Sequence, residues 1–309
     1  MSFFDTIDLK QHTNLELIAR KVVEGFIIGL HKSPFHGFSV EFAEHRLYQP
    51  GESIRNIDWK VYARSDKFFT KKYEEETNLR ARIVIDISSS MHFPGKEVYN
   101  EVRMNKLQWS ALAAAALSYL LKKQRDAFGL TLFDEQPVYH SEAKSSSAHQ
   151  QLIFSQLEPY IYDQTFNKKT SAADSLHRIA DMIHKRSLVI IFSDMLEDPA
   201  RMEPMFDSLQ HLKHNKHEVI LFHVVDASRE LLFEFDNRPY EFIDLESGEK
   251  LRLQSNEIKK EYADKMKQYE EELRLKALQY KIDFVSADIN RDFDQVLQAY
   301  LIKRSRMRT

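Results

Sequence analysis

The chain has 309 residues, of which 43% are hydrophobic and 29% charged, a globular composition with room for one large core or two. Its net charge of −3 lacks the positive excess that is typical of proteins that bind nucleic acids or membrane surfaces. The lack of cysteine excludes disulfides, thiolate metal sites and a cysteine nucleophile. The amino terminus shows no signal-peptide pattern, and the longest apolar run, 111–121, is far shorter than the roughly 20 residues of a membrane span. We therefore expect a soluble, cytoplasmic protein with no membrane span and no nucleic-acid partner.

Residues 1–79 predict a small α+β region. Apolar side chains recur at helical spacing over 14–30, and 38–42 alternates as in a half-buried strand. A Pro-Gly turn at 49–52 precedes a short helix capped by Asp58, and 68–73 returns to a strand-like pattern.

From residue 80 to 309 the chain alternates strands and helices and forms the predicted second domain. The predicted strands are 82–86, 127–133, 187–192, 218–225 and 282–285, with an edge partner at 136–140 and a hairpin at 240–244 and 250–253. The predicted helices are 100–123, 148–157, 172–185, one opened by Asp198-Pro199, 256–280 and 293–302. This order predicts an α/β fold with a doubly wound, mostly parallel sheet of the Rossmann type.

The strand at 82–86 ends in a loop that carries oxygen ligands. Asp86, Ser88 and Ser90 lie where ligands bind in open α/β sheets, and oxygen side chains without Cys or His suit Mg²⁺ or Mn²⁺. Asp194 follows strand 187–192 in the equivalent position, and Thr170 precedes helix 172–185. These side chains predict a divalent-cation site, and the alternative is a strand that ends in an ordinary polar turn.

Other polar patterns have a structural interpretation and a functional alternative. His211, His214 and His217 recur every three residues near a helix end, where interaction with the helix dipole is preferred over zinc ligation. The basic tail 303–308 predicts a frayed, solvated end, with a docking tail as the alternative.

Catalytic motifs are lacking. A phosphatase of the haloacid-dehalogenase type needs a second acid two residues after Asp86, where Ser88 stands. The chain has no Gly-x-Ser-x-Gly elbow, Walker A loop or Gly-x-Gly-x-x-Gly motif. We therefore predict a protein that is not an enzyme, although a metal ion with an open position could still activate water.

Two sets of residues resemble known families. Asp86-x-Ser88-x-Ser90, with Thr170 and Asp194, resembles the metal-ion-dependent adhesion site (MIDAS) of von Willebrand factor type A domains. Segment 42–64 resembles the signature of bacterial proteins in the "domain of unknown function 58" family, which join it to a von Willebrand A-like domain. The signature positions are His45, Arg46, Tyr48, Arg55, Asp58, Trp59 and Arg64.

The resemblance implies roles for the site residues. Ser88 and Ser90 bind the metal directly, and Thr170 binds it directly or through water, with Ser171 as the alternative to Thr170. Asp86 and Asp194 hold the metal or its waters, and a carboxylate of a partner protein takes the open position. The chain departs from the usual pattern at Met195, where a glycine is expected, and at 167–169, where the loop is not glycine-rich.

The signature segment has mixed charge, which favours a scaffold that braces the metal loop over a partner-binding face or a phosphate pocket. The resemblance implies a metal-dependent protein-binding adaptor for a MoxR-type AAA+ ATPase, in protein assembly, maturation or a stress response. The alternatives are a metal-dependent phosphoesterase and a structural scaffold with a vestigial metal site.

Overall fold

The computed structural model describes residues 14–32, 45–47, 62, 64, 67–71, 79–95, 104–162, 172–196, 202–244 and 248–307. The predicted first helix is confirmed as α1, Leu15–Lys32. Strands β1, His45–Leu47, and β2, Phe69–Lys71, pair antiparallel. The predicted strand 38–42, the turn 49–52 and the helix capped by Asp58 lie outside the described residues.

The remaining elements follow the predicted alternation. The strands are β3 Arg80–Asp86, β4 Ala127–Phe133, β5 Pro137–His140, β6 Leu188–Ser193, β7 Glu218–Val225, β8 Pro239–Ile243, β9 Lys250–Gln254 and β10 Asp283–Asp288. The helices are α2 Lys106–Lys123, α3 Ser147–Tyr162, α4 Ala172–Met182, α5 Met202–His214, α6 Ser255–Gln279 and α7 Asp294–Met307.

The central sheet has six strands in the order β10-β7-β6-β3-β4-β5. All neighbouring pairs are parallel except β4 and β5, so the predicted mostly parallel sheet is confirmed, and the predicted edge partner β5 pairs antiparallel. Strands β8 and β9 form the predicted hairpin outside this sheet.

Helices cover both faces of the sheet because its strands are apolar on both sides. Ile83 and Ile85 of β3 join a core under α1, α2, α3 and α7. Val84, between them, points the other way and joins a second core under α4, α5 and α6. Among the described residues, no helix combines the length and the apolar character needed to cross a bilayer.

Helix α2 begins later than predicted, at Lys106 rather than near residue 100. The Asn105 side chain accepts the Gln108 backbone N–H at 2.7 Å, and the Gln108 side chain accepts the Asn105 backbone N–H at 3.1 Å. This capping box satisfies two backbone donors at the helix start. It therefore fixes Lys106 as the first residue of the helix.

The prediction of a frayed basic tail is wrong for the described part of that segment. Lys303 Nζ lies 2.8 Å from both Glu218 Oε2 and Asp283 Oδ2, and Arg304 Nε donates to Asp126 Oδ2 at 2.9 Å. Helix α7 continues to Met307 because these ion pairs hold it against the amino ends of the sheet strands.

The three histidines do not form a metal cluster. His211 and His214 lie in the last turn of α5, as predicted, and His217 lies beyond it. The Nδ1 atom of the buried His217 accepts the Ser187 backbone N–H at 3.2 Å. Within the described ranges, no group of three His, Asp or Glu side chains is arranged to hold a metal ion.

Acid is expected to destabilise the fold through His217. Its Nδ1 is an acceptor and so carries no proton in the folded protein, and burial lowers the pKa of the ring. A histidine with a depressed folded pKa stabilises the fold above its unfolded pKa of about 6.5, and this contribution is lost as the pH falls below that value. The free energy of unfolding of the wild type in urea, taken relative to that of His217→Leu, should therefore fall between about pH 7.5 and 5.5. The exposed His214→Leu is the control, and an unchanged slope in His217→Leu would contradict the assignment.

Candidate metal site

The candidate site lies where the direction of chain winding reverses. From β3 the chain continues to β4 on one side, whereas from β6 it continues to β7 on the other. Strands β3 and β6 are neighbours, with Ile85 opposite Phe192, so Asp86 and Ser193 end the two strands together. Ligands of open α/β sheets bind in the crevice at such a switch point.

The loop after β3 holds its carboxylate and hydroxyls in fixed positions. Asp86 Oδ1 accepts the Ser88 backbone N–H at 3.0 Å, and Asp86 Oδ2 accepts the Ser193 hydroxyl at 2.7 Å. The hydroxyl oxygens of Ser88 and Ser90 lie 3.1 Å apart. Asp86 and Ser88 are buried, and Ser90 is partly exposed at the mouth of the loop. The structure therefore brings together the three predicted side chains of this loop.

The spacing of the two hydroxyls fits a small divalent cation. Adjacent ligands of an octahedral Mg²⁺, each roughly 2.1 Å from the ion, lie about 3.0 Å apart. The Ser88 and Ser90 oxygens lie 3.1 Å apart in a hydrogen bond, a spacing that is also compatible with joint ligation of such an ion. Asp86 adds a carboxylate beside them, so the residues of this loop fit the ion that was predicted. Thr170 and Ser171 lie outside the described residues, and their roles stay predictions.

Asp194 lies at the same crevice but contacts a charged side chain, that of Lys106. Its Oδ1 accepts the Leu196 backbone N–H at 3.2 Å, and its Oδ2 accepts a hydrogen bond from Lys106 Nζ at 2.8 Å. The next residue, Met195, has a φ of 52°, in the left-handed region that favours glycine. A methionine thus occupies, at the position where the resemblance implies a glycine, a backbone conformation that glycine adopts more readily.

Sequence reasoning missed Lys106 and Glu230. The Lys106 side chain is fully buried, and its Nζ contacts Asp194 Oδ2 and, at 2.5 Å, Glu230 Oε1. Glu230 lies in the π-helical turn Ala227–Leu231 that follows β7. One signal was available: a lysine at the first position of a capped helix opposes the helix dipole and needs a negative partner.

The charges of the site are strongly coupled. Burial, and then the negative charge of Asp194, raises the pKa of Asp86 to about 7. Burial by itself lowers the pKa of Lys106, but the carboxylates of Asp194 and Glu230 raise it above the ordinary value. Burial also raises the pKa of Glu230, against the opposing effect of Lys106. The ionised forms of Asp86 and Glu230 are therefore unfavourable here when no metal ion is bound.

The signature segment is described only in part. The backbone of His45 and Arg46 lies in β1, and Arg64 is exposed. The other signature positions, Tyr48, Arg55, Asp58 and Trp59, lie outside the described residues. Whether this segment braces the metal loop or meets a partner stays a prediction.

Comparison with known sequences gives one family match and distant relatives. The family model described as "Protein of unknown function DUF58" matches residues 44–272. Uncharacterized proteins from Mycobacterium bovis and Mycobacterium tuberculosis are each 25% identical to the chain over 214 residues. These alignments cover 69% of this chain and 63% of each relative, so the chain spans less than two thirds of the length of the curated relatives it matches.

Three solved structures resemble the chain at low TM-scores. The conserved hypothetical protein BatB from Bacteroides thetaiotaomicron is 12% identical, with a TM-score of 0.40 over 73% of this chain and 98% of that one. An aerotolerance-related membrane protein from Bacteroides fragilis is 13% identical, with a TM-score of 0.44 over 73% and 99%. A mutant of the PilB minor pilin from Streptococcus sanguinis is 7% identical, with a TM-score of 0.42 over 78% and 64%. TM-scores below 0.5 carry no conclusion about fold or function.

Replacing Asp86 with asparagine is expected to stabilise the metal-free protein. The change removes a buried negative charge that Asp194 repels, and the amide keeps an oxygen for the Ser88 N–H. At about pH 8 with a chelator, the free energy of unfolding of Asp86→Asn should rise by about 1 kcal/mol or more, since one pKa unit corresponds to roughly 1.4 kcal/mol. Urea unfolding measures it, with the exposed Asp264→Asn as control. A clear loss of stability would instead assign Asp86 a structural role.

Proposed function

The chain belongs to the DUF58 family, and we propose that it is a divalent-metal-dependent protein-binding module, built as a von Willebrand factor A-like domain with a MIDAS-type site. The observation that carries the proposal is the meeting of Asp86, Ser88, Ser90 and Asp194 at the switch point between β3 and β6. The spacing of the two serine hydroxyls supports Mg²⁺ or Mn²⁺ as the ion.

Each residue of the loop has a proposed part in binding. The hydroxyls of Ser88 and Ser90 and the carboxylate of Asp86 hold the ion, and Asp194 acts on it through water because Lys106 occupies its Oδ2 atom. When bound, the ion offers an open position to a carboxylate oxygen of a partner protein. Ser90 is the partly exposed member of the set and lies on the side that a partner would approach.

The partner is proposed from the family resemblance. A MoxR-type AAA+ ATPase would supply the carboxylate, and the pair would act in the cytoplasm in protein assembly, maturation or a stress response. No step of this proposal requires catalysis by the chain. The sequence supports a binding role because it lacks the catalytic motifs of hydrolases and nucleotide-binding enzymes.

Removing either carboxylate should abolish metal binding. Asp86→Ala deletes a proposed ligand. Asp194→Ala deletes the second negative charge of the site and removes the carboxylate that partly neutralises Lys106, so the ammonium group repels the ion more strongly. Calorimetric titration with Mg²⁺ or Mn²⁺ is expected to show binding to the wild type and to the exposed-site control Asp264→Ala, and none to the two variants. Unchanged binding in Asp86→Ala would rule out this site.

Partner capture should depend on both the metal and Asp86. Affinity purification from the native cell is expected to retain an AAA+ ATPase in Mg²⁺ and to lose it with a chelator or in Asp86→Ala. If the ATPase is retained equally well with and without the chelator, the result would favour a structural scaffold with a vestigial metal site. A phosphatase and nuclease screen runs in parallel, and turnover that disappears in Asp86→Asn would favour a metal-dependent phosphoesterase.

A further inference from the structure

Lys106 is a cation built into the candidate metal site by the fold itself. The capping box of Asn105 and Gln108 fixes it as the first residue of α2, and its side chain is completely buried. Burying an ammonium group costs several kcal/mol unless good partners surround it. A position at the positive end of a helix adds to that cost. The lysine is therefore held here by its two carboxylate partners.

The two carboxylates of the metal site differ in what they face. Asp86 accepts hydrogen bonds from uncharged donors, the Ser88 N–H and the Ser193 hydroxyl. Asp194 accepts one from the Leu196 N–H and one from the Lys106 ammonium. A divalent cation that uses Asp194 must therefore share this carboxylate with a positive charge already in place.

The charge balance of the cluster follows from these contacts. Asp86, Asp194 and Glu230 carry three negative charges when ionised, and Lys106 carries one positive charge. The cluster is left with two negative charges, which one divalent cation balances. Glu230 matters because it also neutralises the Lys106 ammonium. The ammonium therefore offsets less of the negative charge of Asp194, and more of that charge attracts the ion.

We propose that Lys106 sets the affinity of the site for divalent cations by competing with the ion for Asp194, and that Glu230 moderates this competition. The inference rests on the proposed metal site and adds residues that contact no ion themselves. It assigns opposite effects to the two partners. Loss of the ammonium strengthens binding of the cation, and loss of the Glu230 charge weakens it.

Calorimetric titration and Mn²⁺ electron paramagnetic resonance test the two effects. Lys106→Met, which keeps a long unbranched side chain, is expected to bind Mg²⁺ and Mn²⁺ at least about tenfold more tightly than the wild type. Glu230→Gln is expected to bind them about tenfold more weakly. The control is Glu234→Gln, an exposed glutamate three residues beyond the π-helical turn, with the same change in net charge. It is expected to leave the affinity nearly unchanged.

Lys106→Met leaves Asp194 and Glu230 facing each other, so it is prepared and assayed in millimolar Mg²⁺, where the ion offsets their repulsion. The thermal midpoint of this variant should rise more with added Mg²⁺ than that of the wild type. If the variant does not fold, Glu230→Gln decides alone, and equal or tighter binding there overturns the inference.

The outcomes separate this inference from the proposed function. If the wild type binds the ion and Lys106→Met binds it equally or more weakly, the inference fails and the proposed site stands. If Lys106→Met binds the ion and the wild type does not, the competition is confirmed and the proposed function of the wild-type site fails. If neither protein binds the ion, both are wrong.

Discussion

The burial of two carboxylates, Asp86 and Asp194, at the ends of neighbouring strands is the constraint on which the rest of the site depends, and the negative charge of Asp194 adds to the cost of ionising Asp86. The surrounding groups reduce it: neutral donors bind Asp86, and the Lys106 ammonium binds Asp194. Buried ion pairs stabilise a fold no better than well-packed apolar side chains of the same volume. Stability alone therefore does not account for the charges in this crevice.

The sheet makes this arrangement possible because helices cover both of its faces. The strands β3 and β6 are paired and buried along their whole shared length, which brings their carboxyl ends together at one edge of the sheet. The turn after β7 adds Glu230 from a third strand end, and α2 adds Lys106 at its first residue. Four segments distant in sequence thus meet in one crevice, as expected at a switch point.

Strand positions could be predicted from sequence, and with them the places of Asp86 and Asp194. The apolar runs of β4 and β7 are bounded by polar residues, so their predicted limits, 127–133 and 218–225, are confirmed to the residue. Lys106 could not be assigned because its partners lie 88 and 124 residues away in the sequence. The tail was mispredicted for the same reason, since charge alone does not show that Lys303 and Arg304 have acidic partners at the amino ends of sheet strands.

Met195 holds an unfavourable backbone conformation in the loop that follows β6. The resemblance implies a glycine there, and a methionine in the left-handed region costs about 1–2 kcal/mol. The conformation persists because neighbours impose it: the Met195 N–H donates to the Ser193 hydroxyl, the Tyr269 hydroxyl donates to the Met195 carbonyl, and the side chain is buried. Ser193 also donates to Asp86, so one hydroxyl links the strained residue to the carboxylate of the metal loop. These contacts therefore hold the backbone that follows Asp194 in place, and the cost of the left-handed conformation falls on the stability of the fold.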